Sequence, residues 1–144
     1  SRAKALSVVH IVEDALIISG DPIIVFKNKI LWKPRDLDEA RRMLRELRGR
    51  WHRVISSVTV CNSNTLECRS AIDVAYVKMR YYSGGELKEY LETGEPLNVA
   101  GAYRIQGAGF KLVEMVIGDL TTIIGLPVKA TLRLLRSMGA VFNF

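Results

Sequence analysis

Asp21 and Lys33 bracket one stretch, "SGDPIIVFKNKILWKPRD", residues 19–36. A carboxylate can bind a divalent cation or activate a water, and an ammonium can hold a phosphate. Two short apolar segments separated by "KNK" lie between them, so the stretch predicts a hairpin turning near residues 27 and 28. Both residues are odd-numbered, and strand alternation is expected to set them on one face at the hairpin's open end. On a plain surface they make an ion pair of little energetic weight. In a cleft they are the acid and base of a phosphate site.

A second stretch, "GEPLNVAGAYRIQG", places Gly101, Gly107 and Gly109 around Gln106. Glycine lets backbone approach a ligand closely, and a glutamine amide offers a donor and an acceptor suited to a base edge. A glycine-rich surface loop has the same composition. No G-x-x-x-x-G-K-[ST] phosphate loop is present. In "IGDLTTIIGLP", Asp119, Thr121 and Thr122 either cap a turn or complete a polar site.

Other chemistries find little support. His10 and His52 are the only histidines. Neither has a serine or cysteine partner that spacing assigns, and His52 beside Trp51 reads as a structural imidazole at a strand start. Cys61 and Cys68 flank "NSNTLE"; they are expected to be buried or half-buried thiols, with a bridge across the loop as the alternative. No Cys or His spacing resembles a zinc site.

The elements that must position these groups follow from periodicity and punctuation. Residues 2–9 read as a helix. "ALIISG" reads as a short apolar strand ended by Gly20, followed by strands "PIIVF" and "KILW", with Pro34 as the stop. "DLDEARRMLRELRG" is the clearest helix, with Asp36 or Asp38 as cap, Gly49 as its end, and Leu37, Ala40, Met43, Leu44 and Leu47 on one face. "HRVISSVTVC" and "LECRSAIDVAYVKMRYY" read as paired strands. "SGGELKEYLETG" is a helix between Ser83 and Gly94, "FKLVEMVIGD" a strand, and "LPVKATLRLLRSMG" a final helix. Hairpins mixed with helices predict an α/β (α+β) domain with a mixed sheet.

The chain's 144 residues suffice for one domain with a real core. With 21 basic and 15 acidic residues the net charge is +6, which favours anionic partners such as nucleotides and phosphates. The excess lies in "RRMLRELRGRWHR", a pattern that also fits a solvated helix face, and no nucleic-acid-binding signature accompanies it. No apolar run reaches the roughly 20 residues that span a bilayer, and no signal-peptide pattern opens the chain, so the cytoplasm is the expected compartment. Residue 1 is Ser, and "SRAKALSVV" reads as mid-helix with no cap before it, so the chain is expected to begin inside a longer protein.

Taken together, "DPIIVFKNKILWKPRDLDEARRMLRELRGRWHRVISSV", "LETGEPLNVAGAYRIQGAG" and "GDLTTIIGLPV" resemble the Maf family of nucleoside triphosphate pyrophosphatases, septum-formation-inhibitor-like proteins, from about residue 2 to residue 138. The resemblance implies a single domain over residues 1–144, similar in fold to inosine triphosphate pyrophosphatases, with a cleft between two lobes. It implies hydrolysis of a nucleoside triphosphate between the α and β phosphates, with a divalent cation, magnesium or manganese, and a possible homodimer. The "AGAYRIQG" form resembles the branch acting on dTTP, UTP and modified pyrimidine nucleotides. Residue by residue, Asp21 matches the acid of the family's "G-A-D-T", a metal ligand or water activator. Lys33 matches the lysine of "KP" on the triphosphate, and Lys4 the lysine of "A-x-x-K-A". Gln106 matches the glutamine of "IQG", near the catalytic water or substrate. Ser56 stands where the family usually has threonine, on the substrate side.

The departures define the alternative. The family's "S-x-S-P-R-R" loop and its first strand have no counterpart here, which points to an N-terminally truncated domain with an open sheet edge. Pro22 replaces the threonine after the acid, Val99 the lysine before "AGAY", and Trp32 the glycine before "KP". A non-catalytic nucleotide-binding or dimerising relative fits those changes.

Overall fold

A computed structural model of the chain describes residues 1–142. Its elements in order are α1 (Arg2–Val8), β1 (Leu16–Phe26), β2 (Lys29–Leu31), α2 (Leu37–Leu47), β3 (Trp51–Asn62), β4 (Cys68–Met79), α3 (Gly84–Glu92), β5 (Val113–Ile117), α4 (Leu120–Ile124) and α5 (Val128–Ser137). Three 3-10 turns, Glu95–Asn98, Ala100–Ala102 and Ala108–Leu112, lie between α3 and β5. The strands form one sheet in the order β2-β1-β3-β4-β5, so the α/β expectation holds.

By internal contacts the chain divides into two compact units. The first holds residues 1–22, 56–74 and those from 119 on; the second holds 23–55 and 75–118. In the first, Ala5 of α1, Val9 just after that helix, Val58, Val60 and Cys61 of β3 and Ala130 of α5 are buried. In the second, Ala40, Leu44 and Leu47 of α2, Leu87, Tyr90 and Leu91 of α3, and Val54, Val77 and Met79 of the strands are buried. Asp36 caps α2 by accepting from the Glu39 N–H, with Asp38 and Glu39 in the first turn where the helix dipole favours acids. Of the predicted apolar face, Leu37 is exposed: it sits in the first turn, where the stripe begins. Five of the six arginines of the basic run, Arg42, Arg45, Arg48, Arg50 and Arg53, are exposed, and Arg41 is half-buried.

Four expectations need correction. First, β1 does not end at Gly20 but runs without a break from Leu16 to Phe26. Pro22 has no N–H to donate, and β2 pairs only with Ile24, Val25 and Phe26, so no β2 bond is lost at the proline. Second, Lys27 and Asn28 both have positive φ, the pattern of a two-residue type I′ turn, and the register is Ile24↔Leu31, Val25↔Ile30, Phe26↔Lys29. Odd-numbered residues of β1 therefore oppose even-numbered residues of β2. The pairing also stops at Leu31, so the ladder gives no ground for setting Asp21 and Lys33 on one face. Third, residues 120–124, for which no helix was expected, form the short helix α4, with Asp119 accepting from the Thr121 N–H at its start. Fourth, Cys61 and Cys68 are bonded as a disulfide across the β3–β4 hairpin, where the thiols were expected to be free.

Candidate functional site

In the first unit the candidate acid is held by close backbone packing. Gly20, one residue before Asp21, lies against the α4–α5 turn: a Cβ there would stand 2.4 Å from the Gly125 carbonyl oxygen. Only glycine allows that approach, and it fixes the segment that presents Asp21. The Asp21 carboxylate is half-buried and takes a hydrogen bond from the Lys4 ammonium on α1, while the Ser1 nitrogen lies 3.0 Å from its other oxygen. The Lys4 hydrogen bond, opposed by partial burial, holds the carboxyl below the ordinary aspartate range. Asp21 is therefore ionised at neutral pH: a weak proton acceptor, but a ready ligand for a cation.

Ser56 is in the same unit but is fully buried on β3, and its hydroxyl donates to the Thr122 carbonyl at 2.5 Å. Thr122, also buried, donates its own hydroxyl to Asp73 on β4. Ser56 thus ties α4 to the strand, and Asp73 belongs to a polar chain that sequence spacing did not reveal. A second chain of hydroxyls joins Ser70 to Thr59 at 2.7 Å, Thr59 to Ser1 at 2.8 Å and Ser19 to the Ser1 carbonyl at 2.6 Å. These bonds fasten α1, and hence Lys4, to β1 and β3.

Lys33 and Gln106 belong to the second unit. Lys33 follows β2 at an exposed position, and its neighbour Trp32 accepts through its carbonyl from the Gly101 N–H at 3.2 Å. That bond ties the Lys33 segment to the glycine-rich stretch. Gln106 is exposed on the turn between Ile105 and Gly107. Neither side chain has a partner among the described residues.

The glycines of that stretch make their close approaches to protein rather than leaving open space. A Cβ at Gly101 would meet Ile24 at 2.6 Å, one at Gly107 the Glu95 carboxylate at 1.7 Å, and one at Gly109 the Arg104 backbone at 2.7 Å. Glu95 accepts from the Ala108 and Gly109 N–H groups at 3.2 and 3.0 Å. The Tyr90 hydroxyl accepts from the Arg104 N–H at 3.1 Å. His52 Nε2 lies 2.8 Å from the Tyr103 hydroxyl, whereas its Nδ1 has no partner. Burial lowers the imidazole pKa to about 4, so His52 is the neutral, structural histidine expected.

A cavity of about 430 Å³ in this unit is lined by Arg80, Glu86, Tyr90 and Lys111 among others, and by none of the predicted site residues. Arg80 is engaged there with Glu86 at 2.7 Å and the Lys111 carbonyl at 2.6 Å. Among the described residues no group of three His, Cys, Asp or Glu side chains is placed to hold a metal ion, and no helix is long and apolar enough to cross a membrane.

The comparisons with known proteins agree with one another. A family model described as Maf-like protein matches residues 1–138. A dTTP/UTP pyrophosphatase of Dictyoglomus thermophilum is 41% identical over 136 residues, covering 94% of this chain and 70% of that protein. One of Aquifex aeolicus is 36% identical over 139 residues, covering 96% and 72%. One of Halalkalibacterium halodurans is 37% identical over 144 residues, covering 100% and 75%.

Proposed function

The chain belongs to the Maf-like family, and from that premise we propose that it hydrolyses dTTP, UTP or modified pyrimidine nucleoside triphosphates in the cytoplasm. Water attacks the α-phosphorus, the bond to the bridging oxygen breaks, and the products are a nucleoside monophosphate and pyrophosphate. The observation that carries this reading is the ionised Asp21, fixed beside the Gly125 turn and already engaged with the ammonium of Lys4.

One carboxylate is a sparse metal site, yet hard oxygen donors suit magnesium or manganese, which commonly take one or two carboxylates and complete their shell with phosphate oxygens and water. Asp21 would hold such an ion. When bound, the ion neutralises phosphate charge and polarises the phosphoryl group. Lys4, largely exposed, would exchange Asp21 for a phosphate oxygen. Lys33, with no partner among the described residues, would offset further triphosphate charge. Gln106 would use its amide on the nucleotide or the attacking water. Ser56, whose proton is committed to Thr122, would support the substrate side through α4 rather than as a donor.

Pyrophosphate release from dTTP, UTP, CTP and 7-methyl-GTP with manganese, with Asp21→Asn protein alongside, tests the reading. Release is expected from dTTP and UTP, with loss on chelation. Asp21→Asn is expected to lower it by roughly 100-fold or more, the scale of removing a group that acts on the reacting atoms. The engagement of Asp21 by Lys4 also suits a second reading, a non-catalytic nucleotide-binding or dimerising module. Nucleotide binding by folded protein that releases no pyrophosphate would establish that reading in place of the first.

A further inference from the structure

The backbone on either side of Gln106 is fastened at several points, while the exposed Gln106 side chain has no partner among the described residues. Tyr103 is buried against His52, and Arg104 donates to Tyr90. On the far side the half-buried Glu95 carboxylate takes the N–H groups of Ala108 and Gly109, one on each oxygen. Gly107 supplies the room, since a Cβ there would overlap the carboxylate. Hydrogen bonds to an ionised acceptor are about twice as strong as neutral ones, and two from adjacent amides fix the carboxylate and the turn together.

We propose that Glu95 is a positioning residue for Gln106: its carboxylate bridges the two amides after Gly107 and so sets where the Gln106 amide meets the nucleotide. This rests on the assignment of Gln106 to the substrate site made above. Displacement of a contact group by about 1 Å can cost on the order of 100-fold in rate, so the clamp governs turnover without touching substrate.

Four proteins are compared: the parent, Gln106→Ala, Glu95→Ala and the double variant. The measurements are kcat and KM for UTP and the amide exchange of Ala108 and Gly109. Glu95→Ala is expected to lower kcat by about tenfold or more, to change KM less, and to remove protection of both amides. The double variant is expected to be no slower than Gln106→Ala alone, because Glu95 acts through that residue. A Glu95→Ala loss that repeats in full on the Gln106→Ala background overturns the proposal, as does unchanged protection in a folded variant. Full turnover by Gln106→Ala overturns the assignment of Gln106 while amide exchange still reports on the clamp, and a parent without turnover overturns both. Should Glu95→Ala fail to fold, Glu95→Gln keeps one carbonyl acceptor and is expected to retain one of the two protections with a smaller fall in kcat.

Discussion

His52 shows how a buried group writes itself into pH dependence. Its pKa falls from 6.5 to about 4 because burial disfavours the charged ring, and a second N–H at Nδ1 would find no acceptor. Between those two values the unfolded chain binds more protons than the folded one. Stability is therefore full above about pH 6.5, falls as the pH drops through that window, and levels off below about 4 for this group. Glu86, lowered to about 2 first by the Ser83 N–H and then by Arg80, loses its contribution only below the ordinary glutamate range. Melting temperature followed from pH 7 to 4 is expected to fall more steeply for the parent than for His52→Gln; parallel curves would remove His52 as the cause. At this scale the sequence was legible where a residue type implies its own role, as with the lone buried histidine. Asp73 and Glu95 were not legible, and Thr122 was singled out without its partner. Thr122 and Asp73 meet across 49 positions, and Glu95 meets Gly109 across 14, separations that no local periodicity marks.

Strand β1 shows the same contrast among elements. The glycine at 20 read as a strand end and the proline at 22 as the start of another, yet one strand passes through both because each serves its surroundings: Gly20 admits the Gly125 carbonyl, and Pro22 asks nothing of β2. Gly20→Ala places a methyl 2.4 Å from that oxygen, where backbone must shift. The expected cost is about 1–3 kcal/mol, as for other overpacked sites, seen as a lower midpoint in urea with an unchanged slope. A midpoint equal to the parent's would show that the turn yields freely. Helices α2 and α3 were legible because cap, periodicity and terminator agree. Helix α4 was missed because five residues carry too little pattern, and the strand read over residues 110–119 was too long because residues 108–112 follow Glu95 into a 3-10 turn instead.

For the molecule as a whole, composition bounded the class and the motif combination reached the family, because three separated motifs in order carry more information than any one. Two lobes were expected from the resemblance alone; where the chain divides into its two compact units was not visible in composition or periodicity. Strands β1, β3 and β4 each contribute residues to both, and no linker-like stretch marks a boundary. The Cys61–Cys68 bond has a consequence for how the chain behaves when cut. Asn64 to Glu67 are exposed at the hairpin tip, the kind of place where proteases nick folded proteins. A single cut after Glu67 separates residues 1–67 from 68–144 in sequence, but the sulfur link lies astride the cut. The nicked product is expected to migrate as one species on a non-reducing gel and as two after reduction. Two bands on both gels would mean that the bond is not formed.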